Sequence, residues 1–389
     1  MTSRRIYLFA AVVLPLCLLL FMTTIFGSGQ MVQLPVGIVD ADNTGTSRSI
    51  VRGIAATPTL RVAAHYADYA EARAAVQRRE VYGYLSIPPR FEESVLRGAG
   101  ATLCYYYHYA LLAVGGEVMS AFETALMPVR MAPIVTEAVV LGGTEQGAGT
   151  LLLPMTADDH ALYNPSLDYA VYLAVPIYYI MLQILVLLVT LYAVGSERKE
   201  AGASSLRSKG VKEFRSEDNS LYAAQSSFSL TFIVGKLLPY TLIFVGQALL
   251  AGVVFLRWEH IPMAGDMWLF SLLTILFIIA TQSVAVILYT LFPMLSLVIS
   301  VVSMVGSLGA TLSGLTFPLS AMSPVVQWVA KLFPVRHFTE AMQCMVYFDG
   351  GFSACWPQLA VLCLFPLVAV ALLPRLQRIF STRLYDTVE

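Results

Sequence analysis

The chain has 389 residues, 57% of them hydrophobic and 13% charged, about half the roughly 25% charge of a soluble globular domain, so a soluble fold is excluded. With 24 Lys and Arg against 25 Asp and Glu, the net charge of -1 excludes the basic excess of a nucleic-acid-binding protein. Five Cys with no C-x-x-C pair, and no His/Cys cluster at zinc spacing, exclude a core held by bridges or metal.

A helix rises about 1.5 Å per residue and the hydrocarbon layer is about 30 Å thick, so about 20 uncharged apolar residues make a spanning helix. Six stretches qualify: 6–26, 169–194, 228–256, 267–292, 294–315 and 356–373. A charge at a helix centre costs about 2.5 to 3.5 kcal/mol on insertion scales. These stretches carry only Lys236, within two turns of an end, and Asp168 lies just outside one.

Arg4 and Arg5 precede the first span, and its long apolar run with no A-x-A site after it favours a retained span over a cleaved signal peptide. Six basic residues, Arg198, Lys199, Arg207, Lys209, Lys212 and Arg215, fill the 195–227 loop, and Arg375, Arg378 and Arg383 follow the last span. The excess of Lys and Arg marks the cytoplasmic side, so both termini are expected there, in the cytoplasmic (inner) membrane.

Residues 28–166 contain no Lys and alternate in period. Strands are predicted over 34–40, 60–66, 81–88 and 101–108, with helices over 47–56, 69–79 and 89–98 between them. That pattern describes an extracytoplasmic α/β domain. Residues 110–140 read as one or two long helices and 142–149 as a Gly-rich turn or loop.

Catalytic motifs are missing. No G-x-x-x-x-G-K-[ST] phosphate loop, G-x-S-x-G elbow or H-E-x-x-H occurs, and "GKLLPY" (235–240) lacks the residues that would hold phosphate and magnesium. "LSGLTFP" (312–318) begins like a nucleotide-binding signature but ends an apolar span. His65, His108, His160, His260 and His337 all fall outside, and "DDH" (158–160), the one acid and His cluster, reads as a solvated turn. Cys104, Cys344 and Cys355 face an exterior that permits disulfides, Cys344 with Cys355 being one pairing it allows. Beneath the second span, Glu197, Arg198, Lys199 and Glu200 can begin a short amphipathic helix on the membrane face with Leu206 on its apolar side; a plain topology anchor is the alternative.

Four segments converge on a family. "YNPSLDY" (163–169), "ERKEAG" (197–202), "GKLLPY" (235–240) and "SGLTFPLSAMSPVVQWVAKLFPVRHF" (313–338) occur in that order, with six spans and an external domain after the first. Together they resemble the membrane subunits of type-2 ATP-binding-cassette exporters over essentially the whole chain. The resemblance implies that Glu197 to Gly202 form the coupling helix that docks in a groove of a separate ATPase, with Gly235, Lys236 and Pro239 connecting that loop into the third span. Asn164 and Pro165 would form the junction from external domain to second span. Phe317, Pro318, Met322, Pro324, Pro334 and Phe338 match the outward half-membrane hairpin of two short helices, with Arg336 and His337 near the outer interface, snorkelling or gating. The three prolines also divide that stretch into helices too short to span.

The expected architecture is thus an α-helical polytopic membrane protein with six transmembrane helices, an inserted extracytoplasmic α/β domain and an outward re-entrant helical hairpin between spans five and six. Its parts are 1–27 (N-terminus and first span), 28–166, 167–194 (second span), 195–227 (coupling loop), 228–315 (spans three to five), 316–355 (hairpin), 356–374 (sixth span) and 375–389 (tail). The expected function is that of a permease subunit exporting a hydrophobic or amphiphilic drug or lipid-like molecule, because the spans hold few polar groups, chiefly Gln183, Gln247, Thr281, Gln282 and Ser283, and no internal charge pair. No cofactor is expected on this chain; ATP and magnesium belong to the partner ATPase. Other implied partners are a second permease, membrane lipid and a periplasmic adaptor protein. Where the family has Thr and then an acid after the coupling Gly, this chain has Ala203 and Ser205, which leaves a heterodimer with a sister permease open beside a homodimer. Small residues of the fifth span, Ser303, Gly306, Ser307, Gly309, Ala310 and Gly314, permit close helix approach, between subunits or within one. A non-transporting receptor with an external ligand-binding domain is the alternative function.

Overall fold

The computed structural model describes residues 9–27, 29, 31–97, 102–140, 168–209, 230–258, 261, 265–348 and 351–381. Two units divide the chain: 30–160 form one, and 1–29 with 161–389 form the other.

The first helix, α1 (Leu14–Phe26), follows a π turn at Phe9–Val13. Pro15 in its first turn has no N–H to return to Ala11, and the wider turn accommodates that gap.

The inserted unit runs β1 (Leu34–Asp40), α2 (Gly45–Ala55), β2 (Leu60–His65), α3 (Tyr69–Gln77), β3 (Gly83–Ile87), α4 (Phe91–Leu96), β4 (Cys104–Tyr107) and α5 (Leu112–Val140). Its sheet has the order β2-β1-β3-β4, with β1 parallel to β2 and β3, and β4 antiparallel to β3. The first three of its helices start where a side chain accepts their free amides. Thr44 and Ser47 form a reciprocal capping box on α2, Asp68 accepts from the Glu71 N–H at 2.8 Å on α3, and the Asp42 carboxylate accepts from the N–H groups of Phe91 (2.8 Å) and Glu92 (3.1 Å) on α4. Val36, Ile38, Leu85 and Ile87 pack on one sheet face against Ile50 and Ile54 of α2 and Val118 and Phe122 of α5, while Val39, Tyr84 and Ala72 form a smaller core on the other. The α/β alternation matches the sequence expectation. β2, β3 and β4 are each shorter than predicted, β4 most of all, and within 110–140 a single helix, Leu112–Val140, continues through Pro128 and Pro133.

The other unit holds α6 (Val175–Lys209), α7 (Leu230–Val253), α8 (Met267–Leu291), α9 (Leu295–Leu312), α10 (Pro324–Ala330), α11 (Pro334–Tyr347), α12 (Phe352–Ala371) and α13 (Leu373–Ser381). π turns precede α6 and follow α7. Among the described residues six helices are long and apolar enough to cross a membrane: Phe9–Phe26, Ala170–Ser196, Ile233–Arg257, Met267–Leu291, Leu295–Leu312 and Phe352–Ala371. Within them Asp, Glu, Lys and Arg are confined to Lys236 and Arg257, near the two ends of one helix. α6 and α8 are the most enclosed, with 67% and 61% of their apolar windows buried, so they form the centre of the bundle; the windows at α1, α9 and α12 are only 17 to 22% buried.

Besides shifts of a few residues at other helix ends, three differences from the sequence expectation stand out. α6 does not end at 194; it runs on to Lys209, because "ERKEAGASSLRSK" contains good helix formers and no Pro to interrupt the ladder. α12 begins at Phe352 rather than 356, with Pro357 in its second turn. The last residues of the chain's described part form the separate amphipathic helix α13 rather than a plain tail; Leu376 is fully buried and Arg375 is exposed.

Candidate functional site

The short helices between α9 and α12 dock through aromatic and backbone contacts. Prolines open both: Pro324 and Pro334 sit in the first turns of α10 and α11, where the missing N–H costs nothing, and Pro318 precedes a single 3₁₀ turn at Leu319–Ala321. Helices of 7 and 14 residues result. At about 1.5 Å per residue neither reaches across a hydrocarbon layer about 30 Å thick.

Phe338 of α11 is fully buried, stacked on Phe277 of α8 with centroids 4.3 Å apart and tilted against Tyr179 of α6 at 4.7 Å. Tyr179 in turn donates from its hydroxyl to the Ala248 carbonyl of α7 at 2.8 Å. One residue of the hairpin therefore closes a cluster drawn from two spans and tied to a third. Beside it, the last carbonyls of α9 have no helical partner, and α11 supplies donors: Thr339 Oγ1 lies 2.8 Å from the Ser313 carbonyl, and Arg336 Nη1 donates to the same oxygen at 3.5 Å. A cation at a helix C-terminus is favoured by the dipole. The Arg336 side chain is 12% exposed and pairs with Glu340 at 3.0 Å, while His337 Nε2 donates to the Lys331 carbonyl at 2.9 Å. Phe317, both Val325 and Trp328 of α10, and Leu332 just after it are exposed by 50 to 73%, and Met322 packs partly against the helical core.

Along α9 the small residues sort by side. Gly306 and Gly309 turn inward, where a Cβ would meet Ile184 at 2.8 Å and Gln183 Nε2 at 3.1 Å. They serve packing within one subunit. Ser300, Ser303, Ser307 and Thr311 turn outward, each donating its hydroxyl to a carbonyl three or four residues earlier. Leu297, Met304 and Leu308 share that exposed side.

At the opposite end, Gly195 of α6 lies against Leu295 of α9, where a Cβ would come within 2.6 Å of the Leu295 side chain. Glu197, Arg198, Lys199, Glu200, Gly202 and Leu206 follow on the same unbroken helix. In α7, Pro239 cannot donate to the Gly235 carbonyl one turn earlier. Open space surrounds Gly235, so packing does not require a glycine there, and Lys236 is half-buried. The pair leaves the first turns of α7 weakly tied.

Asn164, Pro165, His160, His260 and the polar stretch 213–227 lie outside the described residues. Cys344 of α11 and Cys355 of α12 are not joined in a disulfide, and the Cys355 thiol donates to the Ala341 carbonyl. Among the described residues no group of three His, Cys, Asp or Glu is placed to hold a metal. Sequence reasoning did not single out Tyr179, Phe277 or Thr339; an apolar span offers no periodicity to mark which of its aromatics face inward.

Helices long and apolar enough to span, with two short helices packed against them and, among the described residues, no charged group deep in any span, make a multi-pass membrane protein. The chain belongs to the ABC-2 family of transporter proteins, whose family model matches residues 5–373. No curated protein matches it. Membership implies a partner ATPase subunit.

Proposed function

We propose that the chain is one permease half of an ATP-driven exporter that moves a hydrophobic or amphiphilic molecule outward across the cytoplasmic membrane, with both termini in the cytoplasm. The outward face of α9 carries this reading. Its hydroxyls at 300, 303, 307 and 311 are exposed on a helix without charge. Each is already bonded to its own backbone, so none demands water, yet each keeps lone pairs for a passing donor. Such a lining lets an amphiphile slide and holds no fixed charge to trap an ion. Two such faces, from two copies or from this chain and a sister permease, enclose the path.

In this reading α10 and α11 dip in from outside and cap the path, the exposed apolar residues of α10 resting in the bilayer interface. The 197–206 segment of α6 is the lever. ATP binding in a separate ATPase pair shifts the equilibrium between two permease states because the closed pair binds one of them better. The inserted α/β unit stands outside, where it can meet a periplasmic adaptor, a step that rests on analogy with exporters of this architecture.

The test is reconstitution of the chain with its ATPase in vesicles holding a lipophilic dye. ATP-dependent efflux is expected, and it should disappear together with ATPase pull-down in the double variant Glu197→Lys, Glu200→Lys. No efflux of any amphiphile tried, or an unchanged complex and ATPase rate in that variant, would overturn the proposal.

A further inference from the structure

Between α7, α8 and α12 lies a cavity of about 260 Å³, far from the exposed face of α9 in sequence and lined by different helices. Its walls are apolar: Ile233, Leu237 and Leu238 of α7, Val286 of α8, Pro366 and Val370 of α12. Among the described residues no charged side chain lines it. Val234, Leu238 and Val370 on its rim are 44 to 50% exposed, so the cavity opens sideways to whatever surrounds the bundle, which for spanning helices is the acyl region of the bilayer. All these residues fall toward the ends of their helices that share a side with the chain's C-terminus.

One polar group sits at the back. Gln282 of α8 is 5% exposed and lines the cavity. Thr241 Oγ1 lies 2.7 Å from Gln282 Oε1 and 3.0 Å from the Leu237 carbonyl, with a single hydrogen to give. If it goes to Gln282, the amide nitrogen is left without a partner among the described residues. If it goes to Leu237, the amide turns and the oxygen is left instead. Either way, among the described residues, a buried amide beside an apolar space keeps one unsatisfied atom, a state that costs about 1 to 3 kcal/mol. Ser283, the other hydroxyl on α8 there, is satisfied by the Ile279 carbonyl at 2.7 Å.

We propose that this cavity takes in one alkyl chain of an uncharged, single-chain amphiphile from the leaflet on the C-terminal side, with Gln282 hydrogen-bonding its ester, amide or hydroxyl group. The absence of lining charge selects a neutral head. The volume of about 260 Å³ is below the roughly 300 to 1,000 Å³ of drug-sized sites, and the apolar walls suit an alkyl chain. The proposal rests on the amphiphile-export reading in one respect only, that the occupant is cargo on its way to the α9 face.

The probe is a monoacylglycerol carrying a photoactivatable diazirine on its chain, added to the full chain in phospholipid nanodiscs without ATPase. Illumination should label peptides holding residues 279–286 and 366–373. Gln282→Leu should lower labelling about fivefold at sub-saturating probe, the loss of one hydrogen bond. Ala369→Phe fills the groove from α12 without touching the amide, and it should lower labelling equally, with elution and melting of both variants unchanged. Labelling elsewhere, labelling indifferent to both variants, or displacement by phospholipid as effective as by monoacylglycerol would overturn the site. Vesicle efflux separates the two claims: intact labelling with no ATP-dependent loss of the probe sinks the cargo role and the export reading while the site stands.

Discussion

The N–H of Tyr169 donates to the carbonyl of Gly29 at 2.7 Å, so the chain just past the first span and the start of the second are held one hydrogen bond apart. Gly29 has φ +65°, and a Cβ there would come within 2.6 Å of the Asp168 carboxylate, which itself accepts from the Ala170 N–H at 2.7 Å. Gly29→Ala is therefore expected to destabilise the bundle by about 1 to 3 kcal/mol, the cost of a non-Gly residue in that backbone region. Asp168→Ala should cost about 1 kcal/mol through loss of the cap. Thermal unfolding in detergent, followed by size-exclusion fluorescence, measures both; equal melting of Gly29→Ala and the parent would contradict the geometry.

Docking of the hairpin should depend on Phe338. Phe338→Ala removes a fully buried ring stacked on Phe277 and is expected to cost about 3 to 5 kcal/mol. Phe338→Leu, nearer in volume, should cost less, under about 1.5 kcal/mol. Hydrogen exchange of 334–347 distinguishes local undocking from global loss: in the Ala variant that segment should exchange first.

The two sides of α9 make opposite predictions. In a chain stripped of its own Cys, Cys at 303 or 307 should cross-link to a second permease under mild oxidation, whereas Cys at 306, packed against Ile184, should not. Ser307→Trp should block efflux without loss of melting temperature. Cross-linking from 306 but not 303 would place the interface on the wrong side.

Acid should loosen the inserted unit at α4. Partial burial pushes the Asp42 carboxyl up, but the Thr44 hydroxyl and the N–H groups of Glu92, Phe91 and Arg90 together outweigh it and hold the group below its ordinary value of 3.8. Folding thus favours the carboxylate. Its contribution is present above that ordinary value and is lost as pH falls through the lower, folded one. Exchange at the Phe91 and Glu92 amides should rise in that window, and Asp42→Asn, which keeps one accepting oxygen and no titratable group, should show no acid step of its own.

Sequence alone determined the six spans, because bilayer thickness sets a helix length and the cost of a buried charge forbids alternatives. It also determined the β-α alternation of the inserted unit, where strand and helix periods differ visibly, and the short helices opened by Pro324 and Pro334. Only the tertiary structure decided which side of each span faces inward: that Gly306 packs on Ile184 while Ser307 faces out, that Phe338 seeks Phe277, that Gln282 backs an apolar cavity, and that α6 runs on through 197–206. The reason lies in the solvent. In water a buried face announces itself by apolar periodicity, but lipid is as apolar as a protein core, so both sides of a spanning helix carry the same residues and only packing with its neighbours tells them apart.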